Sequence, residues 1–176
     1  MIATETITRA WAMPSPWTFS IKPIAELLER YLRRGMVVVD PFAGRSAWAT
    51  HANDLAHGGV DAIEWLDGLN VAADAVLLDP PYSPRQISEC YKSIGKPCST
   101  QDTQNARLYA EAKRQLDRLL KPGGIAITCG WNSTGFGKVL GYERLETLLV
   151  CHGGAHNDTI VVVEHKPEPT ANLFSP

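Results

Sequence analysis

Two short, unbroken apolar runs each end in an aspartate followed at once by proline: Met36–Val39 before Asp40-Pro41, and Ala75–Leu78 before Asp79-Pro80. A continuous aliphatic run of this length reads as a strand buried on both faces, and the acid with its proline marks an abrupt strand end. A third run, Ile125–Cys129, follows Gly123-Gly124. Helical spacing lies between the runs. Ile24, Leu27, Leu28, Tyr31 and Leu32 after Pro23 predict an amphipathic helix over 23–34, and further helices are expected around 60–68 and 105–120. Strands alternating with helices predict a doubly wound, mostly parallel α/β sheet whose ligand crevice lies at the strand carboxyl ends.

The end of the chain breaks the alternation. Leu145–Cys151 and Thr159–Glu164 are strand-like runs joined only by a loop containing Gly153-Gly154, which predicts an antiparallel pair at one side of the sheet. Residues 1–16, with breakers at Pro14 and Pro16, read as loop, and the last ten as a frayed tail. The stretch from Gly44 to Asp54 is too short for a full crossover, so the first helix is expected to be a stub or the second strand very short.

With 176 residues the chain suits one well-cored domain and no separate second one. No apolar run approaches the ~20 residues of a membrane span, and the N-terminus lacks a signal pattern. Cys90, Cys98, Cys129 and Cys151 form no C-x-x-C pair, as expected of free thiols in a reducing cytoplasm. The net charge of −2 conceals an asymmetry: Pro84–Lys121 carries eight basic and four acidic residues, leaving the rest of the chain at −6. Such a segment is either the footprint of a polyanion or a solvated helix face.

The two strand ends carry the chemistry. In Asp40-Pro41-Phe42-Ala43-Gly44 a carboxylate leads into small residues, so backbone N–H groups are able to approach a ligand closely. In Asp79-Pro80-Pro81-Tyr82 two prolines remove two N–H groups and leave carbonyls beside a carboxylate. An acceptor-only site suits an amino group, which brings donors, and Tyr82 offers a flat face for a planar heterocycle. Accepting both hydrogens, one at Asp79 and one at the Pro80 carbonyl, would pyramidalise a base amine and aim its lone pair at an electrophile. That is catalysis by positioning and electrostatics.

Asp-Pro-Pro-Tyr with Asp-Pro-Phe-Ala-Gly about forty residues before it resembles the amino-methyltransferase family of DNA enzymes. Thr18-Phe19-Ser20-Ile21-Lys22-Pro23-Ile24 resembles that family's element before the first strand. Ser83-Pro84-Arg85-Gln86 and His152-Gly153-Gly154-Ala155-His156-Asn157-Asp158 resemble small phage- or prophage-type adenine enzymes. The resemblance runs from about residue 16 to 165. It implies a Rossmann-like methyltransferase sheet, S-adenosylmethionine as cofactor, and duplex DNA with a flipped adenine as substrate. Asp40 and Gly44 would line the methionine end of the cofactor, with Phe19 packing against it and Phe42 either cofactor wall or core. Asp54 would hold the ribose, and Asp61 or Asp67 the cofactor's adenine. Asp79, Pro80 and Tyr82 would be catalytic, with Tyr82 stacking on the base. Pro81, Ser83, Arg85, Lys92 and Asn132 would meet the substrate, Arg85 and Lys92 near phosphates. Asp at the head of the second motif is the more usual residue of adenine-N6 enzymes, and Ser of cytosine-N4 enzymes.

One departure matters. No recognition domain fits in this chain, and a loop over Ser83–Asn105 would supply only a few base contacts, each bidentate pair giving ~1–3 kcal/mol of discrimination. Short or relaxed specificity is therefore expected, or recognition completed by a second copy in a homodimer. Small RNA guanine-N2 methyltransferases share an Asp-Pro-Pro-aromatic motif and form the alternative, and a non-catalytic partner subunit is a third reading. Protection of phage DNA from restriction is the biological role the resemblance implies. Cys151, His152 and His156 are read as hairpin-loop residues with no metal, Asn132 as substrate contact or turn former, and Trp11 and Trp17 as core or cofactor cover.

Overall fold

The computed structural model describes residues 5–95, 97 and 105–168. Its strands are β1 (Thr6–Trp11), β2 (Val38–Asp40), β3 (His51–Ala52), β4 (Ala73–Leu78), β5 (Leu120–Gly130), β6 (Glu143–Cys151) and β7 (Thr159–His165). Its helices are α1 (Lys22–Tyr31), α2 (Ala62–Gly68), α3 (Pro84–Ser93) and α4 (Asn105–Leu119). The strands form one sheet in the order β1-β6-β7-β5-β4-β2-β3. β3, β2, β4 and β5 are parallel, and β7 runs antiparallel between β5 and β6.

Alternation along β4 builds two cores. Ala75 and Leu77 face one side, where Ile24, Leu27 and Leu28 of α1 are fully buried against Ile127, Val161 and Val163. Val76 and Leu78 face the other, packed with Leu66 of α2 and Ala112 and Leu116 of α4. Glu146 of β6 fastens α1 by accepting from Arg30 Nη2 at 2.6 Å and from the Tyr31 hydroxyl at 3.0 Å.

Four expectations need correction. Residues 6–11 are not loop: they form β1, which pairs in parallel with β6 and becomes the sheet edge, so the antiparallel pair is not outermost. Thr and Ile favour strand, and the register supplied by β6 outweighs the prolines beyond Ala12. Helix α1 stops at Tyr31, three residues early, because Leu32 is already extended. The third strand begins before Ile125: Lys121-Pro122-Gly123-Gly124 lie within β5 as a bulge, taken up between the Ala73–Leu120 and Ala75–Ile125 pairs. Residues 84–93 form a helix rather than a loop, capped by the Ser83 hydroxyl with Pro84 in its first turn. The short crossover resolves as both options at once: no α-helix separates β2 from β3, and β3 has two residues. Of the expected tail, Pro167 and Glu168 are described; the remainder, and residues 96 and 98–104 of the Ser83–Asn105 segment, lie outside the described residues.

Candidate active site

The parallel strands β2, β4 and β5 end on the same edge of the sheet, and there a cavity of about 1120 Å3 opens. Its walls come from five places: Pro16–Ser20 ahead of α1, the loop Pro41–Trp48 after β2, the segment Asp54–His57 with Asp61–Ile63 at the start of α2, Asp79–Tyr82 with one face of α3, and Arg107, Leu108 and Glu111 at the start of α4. The sheet topology thus brings the two Asp-Pro strand ends to one opening, as expected for a crevice where strand order reverses.

The loop after β2 is held from within. Asp40 is fully buried, and its Oδ1 accepts the Phe42 N–H at 2.9 Å. Burial pushes its carboxyl well above the usual range, and the nearby charges of Asp79 and Asp54 add to that, while the Phe42 N–H opposes it. Asp40 therefore shapes the loop from behind, and its side chain does not reach the cavity wall where the resemblance placed it. Gly44 adopts φ +56°, and a Cβ there would lie 3.0 Å from the Trp17 ring. A side chain there would be strained by the positive φ and would have to displace the indole by a few tenths of an ångström. Arg45 lies over the same indole, 5.2 Å from its centre, and His57 meets it edge-on at 5.6 Å.

Asp54 ties the next segment to this loop. Its Oδ2 accepts the Gly44 N–H at 3.1 Å, and its Oδ1 accepts the Ala56 N–H at 2.9 Å and faces His57 Nδ1 at 2.7 Å. Asp61 caps α2 through the Ile63 and Glu64 N–H groups, and its Oδ2 accepts from the Tyr91 hydroxyl at 3.3 Å. Both acids line the cavity, each with lone pairs left for a ligand's hydroxyls. Asp67 is engaged elsewhere, accepting from Gln115 Nε2 at 3.1 Å. Phe19 is buried and joins the core under α1 while one side lines the cavity, and Phe42 packs against the opposite core and lines it too.

At the end of β4, Asp79 is part-buried and accepts hydrogen bonds from the hydroxyls of Tyr82 and Thr18. Burial raises its carboxyl above the usual range, and these two hydrogen bonds oppose the rise. Gln86 Oε1 accepts the Tyr82 N–H at 2.7 Å, fixing the turn after the prolines. The Tyr82 ring rests on Trp131, centre to centre 5.5 Å. Behind it the Cys129 thiol is buried and raised well above its ordinary value by burial and by the charges of Asp79 and Asp40.

Pro80, Pro81 and Tyr82 share the cavity with Asp54 and Asp61, whereas Ser83, Arg85, Lys92 and Asn132 lie outside its walls. Ser83 caps α3, Arg85 pairs with Glu89 at 2.8 Å, and Asn132 Oδ1 accepts the Thr134 N–H at 3.0 Å, the turn-forming option. His152 uses both ring nitrogens: Nδ1 donates to the Ala12 carbonyl and Nε2 is hydrogen-bonded with the Thr159 hydroxyl, each at 2.9 Å. Thr18 and Gln86 sit inside motifs visible in the sequence yet gave no sign of their separate contacts. His57 and Arg45 carried no signal at all.

Comparison with models of known protein families gives no match, and comparison with curated proteins gives none either. Solved structures do match. TrmN from Thermus thermophilus aligns with a TM-score of 0.52 at 21% identity over 83% of this chain, which spans 49% of TrmN, about half its length. A putative methyltransferase, yhhF from Escherichia coli, aligns with a TM-score of 0.52 at 13% identity, over 89% of this chain and 92% of that one. The chain has a methyltransferase-like α/β fold. In this fold β7 running antiparallel between β5 and β6 is the departure from an all-parallel sheet, and it is the part read from the sequence as a C-terminal strand pair. No helix among the described residues is long and apolar enough to cross a membrane.

Proposed function

We propose that this protein is an S-adenosylmethionine-dependent methyltransferase acting on the exocyclic amine of a nucleic-acid base, adenine N6 in duplex DNA, with short or relaxed sequence specificity. The observation that carries the proposal is the acceptor-only strand end. Asp79, Pro80 and Pro81 line the same cavity as the Gly44 loop, Asp54 and Asp61, and the prolines have no N–H to offer there. A cavity of about 1120 Å3 is roomy for one ligand, since small-molecule sites are typically ~300–1,000 Å3, and it suits a cofactor beside a base.

The residues present fit the cofactor. Asp54 and Asp61 would take ribose and adenine polar groups, Trp17 and Phe19 would cover it, and the side-chain-free face of Gly44 would let its chain pass. The cofactor supplies an electrophilic methyl group on a sulfonium. Asp79 accepts one hydrogen of the base amine and the Pro80 carbonyl the other, an arrangement that keeps the nitrogen lone pair available. The entering amine takes the place of the Tyr82 hydroxyl on Asp79, which frees the ring to stack on the base. Arg85 and Lys92, exposed on α3, whose Gln86, Ile87 and Tyr91 line the cavity, would meet phosphates.

The test is to incubate the protein with labelled S-adenosylmethionine and, separately, duplex DNA and ribosomal RNA, then identify methylated nucleosides by mass spectrometry. N6-methyladenine in DNA is the expected product. N4-methylcytosine in DNA, or N2-methylguanine in RNA with DNA untouched, would overturn the substrate while keeping the amine chemistry. Failure to label either would overturn the proposal.

A further inference from the structure

Strand β1 ends the sheet, and among the described residues nothing pairs with its outer side. Natural edge strands are usually blunted by lysine, proline or a bulge, because an open row of backbone N–H and C=O groups recruits another strand. Glu5–Trp11 contains no lysine, proline or bulge, and its only charged residues are Glu5 and Arg9. Instead Ile7 is 74% exposed and Trp11 67%.

The phase of the ladder shows which groups are free. In a parallel pair, a residue's N–H and C=O point to the same side, and the side alternates along the strand. Ala12 N–H bonds inward to the Cys151 carbonyl at 3.1 Å. Thr6, Thr8 and Ala10 are therefore also inward, and Glu5, Ile7, Arg9 and Trp11 present their backbone groups to the open edge.

We infer that this edge pairs with the same edge of a second copy, antiparallel about a two-fold axis at Ile7, joining two seven-stranded sheets into one. The charge pattern selects both the occupant and the register. Centred on Ile7, the opposed outward-facing residues are Ile7 with the partner's Ile7 and Glu5 with the partner's Arg9, twice by symmetry, alternating with Thr6 opposite the partner's Thr8. Within its own chain Glu5 accepts from Thr147 Oγ1 at 2.7 Å and Arg9 Nε donates to Cys151 Sγ at 3.1 Å, and the exposed arginine would exchange that contact for the carboxylate across the ladder. Centring on Arg9 would oppose two guanidinium groups. Centring on Thr8 would set Arg9 against the partner's Ile7 and Glu5 against the partner's Trp11, with no charge paired. Opposite charges facing each other across a ladder stabilise it and like charges destabilise it.

The geometry has a functional consequence. A two-fold axis normal to the sheet turns the carboxyl edges of the two copies in opposite directions. The two cavities then open on opposite sides, so each copy meets its target alone and the second copy does not complete the recognition of one site.

Sedimentation velocity of the full chain across a range of concentrations tests this. A monomer–dimer equilibrium is expected. Ile7→Pro removes an outward N–H and leaves the inward bonds of Thr6 and Thr8, so it should abolish the dimer with the fold intact by circular dichroism. Arg9→Glu sets like charges opposite one another and should weaken the dimer about tenfold or more, and adding Glu5→Arg should restore it. Should the double variant fail to fold, Ile7→Pro decides alone. A wild-type monomer at every concentration, or a dimer indifferent to Ile7→Pro, would overturn the inference.

Discussion

Replacing Gly44 by Ala tests the cofactor side of the cavity with a single methyl group. At φ +56° an L-residue pays ~1–2 kcal/mol for the left-handed conformation. The new Cβ would also lie 3.0 and 3.2 Å from two carbons of the Trp17 ring, closer than ordinary van der Waals contact. The loop relieves both by relaxing to negative φ, which withdraws the Gly44 N–H from Asp54 and lets the indole move off. Binding then has to restore the strained form, so S-adenosylmethionine affinity should fall by the same ~1–2 kcal/mol, about 5- to 30-fold. The fold should survive, since a domain of this size has ~5–15 kcal/mol in hand. Titration calorimetry gives the affinity, and tryptophan emission should shift as Trp17 becomes more exposed. Unchanged affinity with unchanged emission would refute the reasoning and place the cofactor away from Gly44.

Asp79→Ala should abolish turnover on duplex DNA and leave S-adenosylmethionine binding within about threefold, less than 1 kcal/mol; lost cofactor binding would mean that Asp79 serves the cofactor side. Because the folded protein holds the Asp79 proton more tightly than the ordinary 3.8, the ionised acceptor disappears as pH falls through the raised value. The acid limb of kcat/KM, which reports the free enzyme, should thus lie above 3.8 in a pH–rate profile. For stability the sign is opposite to that of a salt-bridged acid. Asp40 and Asp79 both bind protons more strongly when folded, so their contribution is fully present below pH 3.8 and is lost as pH rises through their raised values, a slope that Asp40→Asn should flatten in denaturant titrations. Glu164, almost fully buried, accepts the Phe136 and Gly137 N–H groups at 2.5 and 3.0 Å and lies 3.8 Å from Arg144. Glu164→Ala should cost about 3–5 kcal/mol in urea unfolding by leaving both donors unmet.

What the sequence made legible were features with a local cause. Val38, Val39 and Leu77 reveal strands because a run without polar residues has nowhere to go but inside, and Ile24, Leu27 and Leu28 reveal α1 by spacing alone. The acceptor-only character of Asp79-Pro80-Pro81 was equally plain, since missing N–H groups are a property of the residues themselves. What stayed hidden had a distant cause. Strand β1 exists because β6, some 140 residues later, offers it a ladder, and its own exposed residues carry no period that would betray it. Thr18 reaches Asp79, and Arg45 and His57 flank Trp17, only because the chain returns there. The bulge in β5 likewise depends on how much of β4 is left to pair.

The two Asp-Pro strand ends look alike in the sequence and behave differently in the fold, and the second proline is the reason. An aspartate at a strand end tends to fold its carboxylate back onto the N–H two residues on. At Asp40 that residue is Phe42, whose N–H is present and is taken, and the acid becomes a buried brace for its own loop. At Asp79 the residue two on is Pro81, which has no N–H to give. The next candidate, the Tyr82 N–H, is drawn away by Gln86. Every nearby backbone donor that would satisfy Asp79 is thereby absent or engaged, and the carboxylate turns to hydroxyls from Tyr82 and Thr18, donors on side chains that are able to swing aside. A carboxylate that its own turn grips, as the Phe42 N–H grips Asp40 Oδ1 while Oδ2 stays buried without a partner among the described residues, makes a brace. One that its own turn cannot satisfy keeps its acceptors for donors from elsewhere, which is what the proposed amine would bring.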